Sequence, residues 1–200
     1  MTTQNPENLG KPLFEIDKKA KALFKPYRKT PPATVVDVVS KIADQPELRT
    51  VCAGLFILGV RRSDGRMVRA SVRMIVVHES ANFIKDMIKH RVDRRRPRST
   101  GHGGASKPHK GRSREKEDQS FPSGHSAGSM AVACAYASVY PERAVPAVAA
   151  AAALSASRVV AAAHYPSDVA AGTAIGAATN GALGLALKGL RTVALAALRW

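Results

Sequence analysis

Residues 144–163 read AVPAVAAAAALSASRVVAAA and residues 169–187 read VAAGTAIGAATNGALGLAL. Each run approaches the length of about 20 residues that a helix needs to cross a bilayer. Neither carries the alternation of a half-buried strand, so both are read as helices packed through small side chains. Gly172 and Gly176 make a small-xxx-small face on the second run, which permits close backbone approach. Alanine is only weakly hydrophobic, so the inner helices of a soluble bundle fit the same runs. The charged Lys188, Arg191 and Arg199 with Trp200 resemble an interfacial anchor, and membrane embedding is the reading adopted.

Working toward the N-terminus, Ala127 to Tyr140 is a third Ala/Gly-rich helix. Arg98 to Ser120 is a Gly/Ser/Lys/Arg loop without periodicity, read as mobile, with His102 and His109 solvated rather than metal-bound. Met67 to Val92 reads as one long helix, but Arg69, Arg73, Glu79, Lys85, Asp86 and Lys89 interrupt it, and such charges are costly against lipid. That helix must turn a polar side toward protein, water or substrate. Thr50 to Val60 is a shorter apolar run. Val35, Val38, Val39 and Ile42 mark a short helix, and Leu13 to Tyr27 marks a basic amphipathic one suited to an anionic surface or to packing on the fold. The expected architecture is all-α: a bundle of about five core helices over 47–190 with a mobile basic loop at 98–120, preceded by an N-terminal amphipathic helical segment at 1–46 and followed by a tail at 191–200. No strand and no internal repeat is expected.

Composition narrows the function. In 200 residues, 31 Lys and Arg face 15 Asp and Glu, a formal charge of +16, which excludes an acidic scaffold and points to an anionic partner. Nucleic acid, anionic lipid and phosphorylated substrates all remain open on charge alone. The two cysteines, Cys52 and Cys134, lie in apolar runs without ligand-spaced partners, so a disulfide framework or zinc site is not expected. No positive-then-apolar leader opens the chain, which disfavours export of a soluble form.

Three segments hold residue types that packing alone does not ask for. In Lys89 to Pro97, Lys89 and Arg96 are seven apart, so on a helix both project from one face, as half of a phosphate clamp. In Phe121-Pro122-Ser123-Gly124-His125-Ser126, a tight entry into a helix lets backbone N–H groups and the Ser123 hydroxyl converge on an anion, with His125 within reach of a departing oxygen. In Ser157 to Asp168, Arg158 breaks an apolar helix, His164 ends it, and Asp168 opens the next. A carboxylate near a histidine holds one tautomer and leaves the other nitrogen free to attack.

Lys89 with six residues before Arg96-Pro97, then Pro122-Ser123-Gly124-His125, then Ser157-Arg158 with five residues before His164 and three more before Asp168, resembles the three-part signature of the phosphatidic acid phosphatase type 2 superfamily. The resemblance runs from Lys89 to Asp168. It implies a helical-bundle phosphatase that needs no metal and no cofactor and acts on a lipid phosphate monoester or polyprenyl diphosphate. It further implies that His164 is the nucleophile, oriented by Asp168, and that His125 is the acid and then the base. Lys89, Arg96, Ser123, Gly124 and Arg158 would bind the phosphate.

With alternating helix directions the three segments fall at one end of the bundle. The positive-inside rule would place that end in the cytoplasm, whereas the resemblance implies the outer side of a cell membrane, so sidedness stays open for an integral, multi-pass protein. Two other readings compete. One is a soluble acid phosphatase or vanadate-dependent haloperoxidase using the same pocket. The other is a nucleic-acid binder acting through Arg91 to Arg98, which leaves His125, His164 and Asp168 unexplained.

Overall fold

A computed structural model describes residues 6–27, 30, 31, 35, 38, 43–101 and 104–197, with the side chains of 6–10 and 196–197 left aside. The helices are α1 (Pro6–Phe24), α2 (Gln45–Arg61), α3 (Gly65–Lys89), α4 (Gly124–Ala137), α5 (Ala144–Val160) and α6 (Pro166–Ala197). Two short strands, β1 (Val92–Asp93) and β2 (His109–Lys110), pair antiparallel with Val92 opposite Lys110. The all-α class holds. The correction is this small ribbon, which the strandless reading missed because two-residue strands carry no periodicity. The helix read over Val35 to Ile42 includes Val39 and Ile42, and the proposed anchor includes Arg199 and Trp200; these four, like His102, lie outside the described residues.

Local chemistry sets the helix starts. Asp64 caps α3 by accepting from the backbone N–H groups of Arg66 and Met67 at 2.9 and 3.0 Å. Ser123 caps α4 through its hydroxyl, which accepts from Ser126 N. Asp44 precedes α2 with Pro46 in the first turn, yet its carboxylate makes no cap bond; that side chain is used elsewhere.

Helix α4 is the hub, packed against α2, α3, α5 and α6. Its Ala131 and Ala135 meet Cys52 of α2 and Met74, Val77 and Ala81 of α3 in the main apolar cluster. Against α6 the approach is closer still. A Cβ at Gly172 would collide with the Ser123 carbonyl, and one at Gly176 would come within 2.5 Å of the Ala127 carbonyl. The small-residue face read from the sequence is thus the seam that fixes the start of α6 against the start of α4, where Ser123 N also donates to the Asp168 carbonyl at 3.0 Å.

The segments Pro141–Val160 and Pro166–Leu195 are long and apolar enough to cross a membrane. They leave Val145, Leu185, Leu190 and Val193 exposed. The charges of α3 divide: Lys85 is buried and Arg73 and Lys89 are half-buried, whereas Arg69 and Glu79 stay exposed. Arg73 donates to the Asn180 side chain on α6 at 2.9 Å, Glu79 pairs with Arg49 of α2 at 2.7 Å, and Lys85 and Lys89 face a polar cavity at the helix end. Both cysteines are free thiols.

Candidate active site

His164 lies in the turn between α5 and α6, where Ala163 N and His164 N both donate to the Arg158 carbonyl. Ala162 takes a left-handed backbone, φ 50°, which lets the chain reverse within so few residues. His164 Nδ1 is 2.7 Å from the Ser120 carbonyl. A carbonyl only accepts, so Nδ1 carries the proton and Nε2 presents its lone pair. Nε2 faces Arg96 Nη1 at 3.4 Å and opens on the cavity. Burial, reinforced by Arg96 and Lys89, pulls the ring down to about 4 against the opposing pull of Asp168, so it is neutral at ordinary pH.

Asp168 lies near this ring, as expected of an orienting carboxylate, but makes no direct hydrogen bond to it. Asp168 Oδ2 stands 3.8 Å from Nδ1, beyond hydrogen-bond reach, and accepts instead from Ser120 Oγ at 2.6 Å and Tyr165 N at 2.8 Å. Its other oxygen accepts from Arg94 Nη1. Ser120 therefore fixes the tautomer, while Asp168 stands behind the ring as a buried anionic charge.

His125, the second residue of α4, faces the same cavity from the other side, with Nε2 2.6 Å from Asp44 Oδ1. Gly124 lines the cavity at the first turn of α4, where backbone N–H groups lack intrahelical acceptors. A Cβ at Gly124 would press to 3.3 Å on the Lys85 side chain. Ser123 is fully buried and its hydroxyl accepts from Ser126 Oγ at 2.9 Å, so it builds the turn and does not line the cavity.

The cavity, about 470 Å³, gathers Lys85, Lys89, Arg96, Arg98, Lys116 and Arg158 against the carboxylates of Asp44 and Glu47. Lys85 is paired with Asp86 and Arg98 with Glu117; among the described residues, Lys89 and Arg96 have no carboxylate within ion-pair distance. Such a cluster is an anion site by Coulomb's law. Burial, together with Lys85 and Arg96, draws the Lys89 ammonium down to about 8. Burial likewise draws the Arg96 guanidinium below its usual range.

The route by which Lys89 and Arg96 meet differs from the helical one expected. Helix α3 ends at Lys89, and residues 92–96 run extended, alternating Arg94 and Arg96 inward with Arg95 outward. The basic loop folds back along this segment. Arg94 N donates to Asp118 O at 2.6 Å, Arg96 N to Glu117 O at 2.8 Å, and Arg96 Nε to Lys116 O at 2.9 Å. A loop read as mobile thus forms a wall of the site. Burial of Arg94 and Arg96 also takes two cations away from any nucleic-acid face.

Sequence reasoning missed Ser120, Asp44, Lys85 and Arg94. Arg94 had a usable signal, since alternate arginines before a proline fit an extended strand as well as a helix. Ser120 and Asp44 had none, because they act through a carbonyl and through a contact 81 positions distant in the chain. Among the described residues no group of three or more His, Cys, Asp or Glu side chains is placed to hold a metal ion.

Over 59 residues, 30% of this chain, the sequence is 49% identical to a lipid A 1-phosphatase from Rhizobium johnstonii, of which it covers 24%. A solved structure, the transmembrane PAP2-type phosphatidylglycerolphosphate phosphatase from Bacillus subtilis, aligns over 90% of this chain and 94% of that one at 20% identity with a TM-score of 0.39. The family model of the PAP2 superfamily matches residues 70–187, which hold all three motif segments and both histidines. The chain belongs to the PAP2 superfamily.

Proposed function

We propose that this protein is a membrane-embedded, multi-pass phosphatase that hydrolyses a lipid phosphate monoester or polyprenyl diphosphate through a phosphohistidine, without a metal. The observation that carries the reading is that both imidazoles and the cations of Lys89, Arg96 and Arg158 open onto one cavity at the end of a bundle whose α5 and α6 are of bilayer-spanning length.

In the reaction, a phosphoryl group sits among Lys89, Arg96, Arg158 and the N–H groups at the start of α4. His164 Nε2 attacks phosphorus in line as the P–O bond to the leaving group breaks, and the departing oxygen takes its proton from His125. The carboxylate partner Asp44 suits a protonated ring at this stage. The positive charge that develops on His164 is stabilised by Asp168 and by donation of Nδ1–H to Ser120. His125, now neutral, takes a proton from water, the resulting hydroxide attacks phosphorus, and the P–N bond breaks to release phosphate and neutral His164. The three cations stabilise the equatorial oxygens in both transition states. An apolar tail would lie against the exposed apolar side chains of the helices.

The test is phosphate release from phosphatidic acid, phosphatidylglycerophosphate, lipid A, a polyprenyl diphosphate and a soluble aryl phosphate, with EDTA present and vanadate as inhibitor. Expected are turnover of at least one lipid in EDTA and loss of turnover with vanadate. Activity lost in EDTA and restored by a divalent ion would reject the metal-independent mechanism. Turnover of the aryl phosphate alone, by protein soluble without detergent, would favour the acid-phosphatase reading.

A further inference from the structure

Helix α1 lies outside the residues matched by the family model, and its apolar Leu13, Ile16 and Leu23 are at least half exposed. What it buries is a carboxylate. Asp17 is 1% exposed and accepts from Arg94 Nη2 at 2.6 Å, Ser167 Oγ at 2.6 Å and Ser167 N at 3.0 Å. Arg94, also 1% exposed, donates through its other terminal nitrogen to Asp168, with its guanidinium 4.0 Å from the centre of the Tyr165 ring.

One planar guanidinium is therefore shared by two buried carboxylates, one on α1 and one behind the nucleophile. An arginine fork fixes the carboxylates it bridges in orientation as well as charge. With Asp17 in place, half of the guanidinium is occupied, and Asp168 keeps anionic character with which to face the imidazolium of His164. Without Asp17 the whole cation falls on Asp168, cancelling the charge that His164 needs in the transition state, and the fork is free to turn.

We propose that Asp17, acting through Arg94, is a positioning residue for catalysis, so that α1 supplies part of the active site's electrostatics. This role rests on the phosphatase reading above. It concerns the chemical step and not the phosphate grip, because neither Asp17 nor Arg94 lines the cavity.

The experiment compares kcat and KM for the full-length protein in mixed micelles, each normalised to the folded fraction, for wild type, Asp17→Asn and Asp17→Glu. Expected for Asp17→Asn is a fall in kcat on the order of tenfold, the scale found when a partner one step behind a reacting group is removed, with KM unchanged. Asp17→Glu should recover most of it, because the charge returns. If α1 only anchors the fold, Asp17→Asn shifts the melting temperature and leaves kcat alone, which overturns the proposal. Should Asp17→Asn fail to fold, Arg94→Lys takes its place, because it keeps the buried positive charge but cannot bridge both carboxylates with one planar fork; wild-type kcat in that folded variant would overturn the proposal equally. A wild-type protein without turnover on any phosphate ester removes the phosphatase reading and this role with it, whereas an active wild type matched by Asp17→Asn removes this role alone.

Discussion

His164 and His125 open onto the same cavity, yet the protein surrounds them in opposite ways. His164 is 2% exposed, bonded through Nδ1 to the neutral carbonyl of Ser120, and kept neutral by desolvation. His125 has a side chain 19% exposed and is paired through Nε2 with the Asp44 carboxylate at the rim. A neutral acceptor in a dry site favours a ring that can attack, and an anionic acceptor in a wetter one favours a ring that can give up a proton. In the proposed mechanism one residue type takes two roles through its partner and its access to water.

The largest effect should come from the buried member. His164→Ala is expected to lower turnover by on the order of 10³-fold or more, as loss of a nucleophile does, with the helical circular dichroism unchanged; near wild-type phosphate release from the folded variant would end the nucleophile assignment. Next comes the frame that holds both rings. Gly172→Ala drives a methyl group into the Ser123 carbonyl and should cost about 1–3 kcal/mol, the usual scale for overpacking. Because that seam sets the start of α4 against the start of α6, activity should fall with stability, and a variant of wild-type melting temperature and activity would show that the helices part at no cost.

Asp44→Asn tests the exposed member more gently. General acid–base catalysis contributes roughly 10²–10⁴-fold, so removing only the acid's counter-charge should cost a part of that, about tenfold, on an alkyl phosphate whose alkoxide must be protonated as it leaves. An aryl phosphate with a good leaving group should be nearly indifferent. Equal losses on both substrates would mean that Asp44 shapes the cavity and does not serve the acid.

The same contrast shows what could be read in the sequence. The motif positions of His125, His164, Lys89, Arg96 and Arg158 were legible because their spacing is local, and the structure brings all five to one cavity. The helices were legible because Ala-rich runs have no competing period, and their starts carry Asp64, Ser123 and Pro166 as punctuation. The partners were not legible. Asp44, Ser120 and Arg94 reach the site through chain reversals, and a carbonyl such as that of Ser120 leaves no trace in residue identity. The step from Lys89 to Arg96 misled for a related reason: seven residues satisfy two helical turns, but Pro97 and the backbone pairing of Arg94 and Arg96 with residues 117–120 hold that stretch extended.

The smallest effect concerns the cations that both histidines share. Lys89 is drawn down to about 8 by burial and by Lys85 and Arg96, so in the free enzyme its charge is complete below that pH and lost above it. Since the charged form grips phosphate, kcat/KM should fall as pH rises through about 8. A bound phosphate dianion favours the protonated amine, so kcat should fall less than kcat/KM. With an aryl phosphate, whose leaving group dispenses with the proton from His125, that decline reports the lysine and not the acid. Lys89→Arg should move it to higher pH, because a guanidinium keeps its charge throughout this range, at the expense of a few-fold lower kcat/KM near neutrality where the planar fork replaces a compact ammonium. If the decline stays in place in Lys89→Arg, it belongs to the rim histidine even for aryl substrates. The proton of His125 would then be needed in the first step even where the leaving group is good, and the dry nucleophile would depend on the wet acid for every substrate.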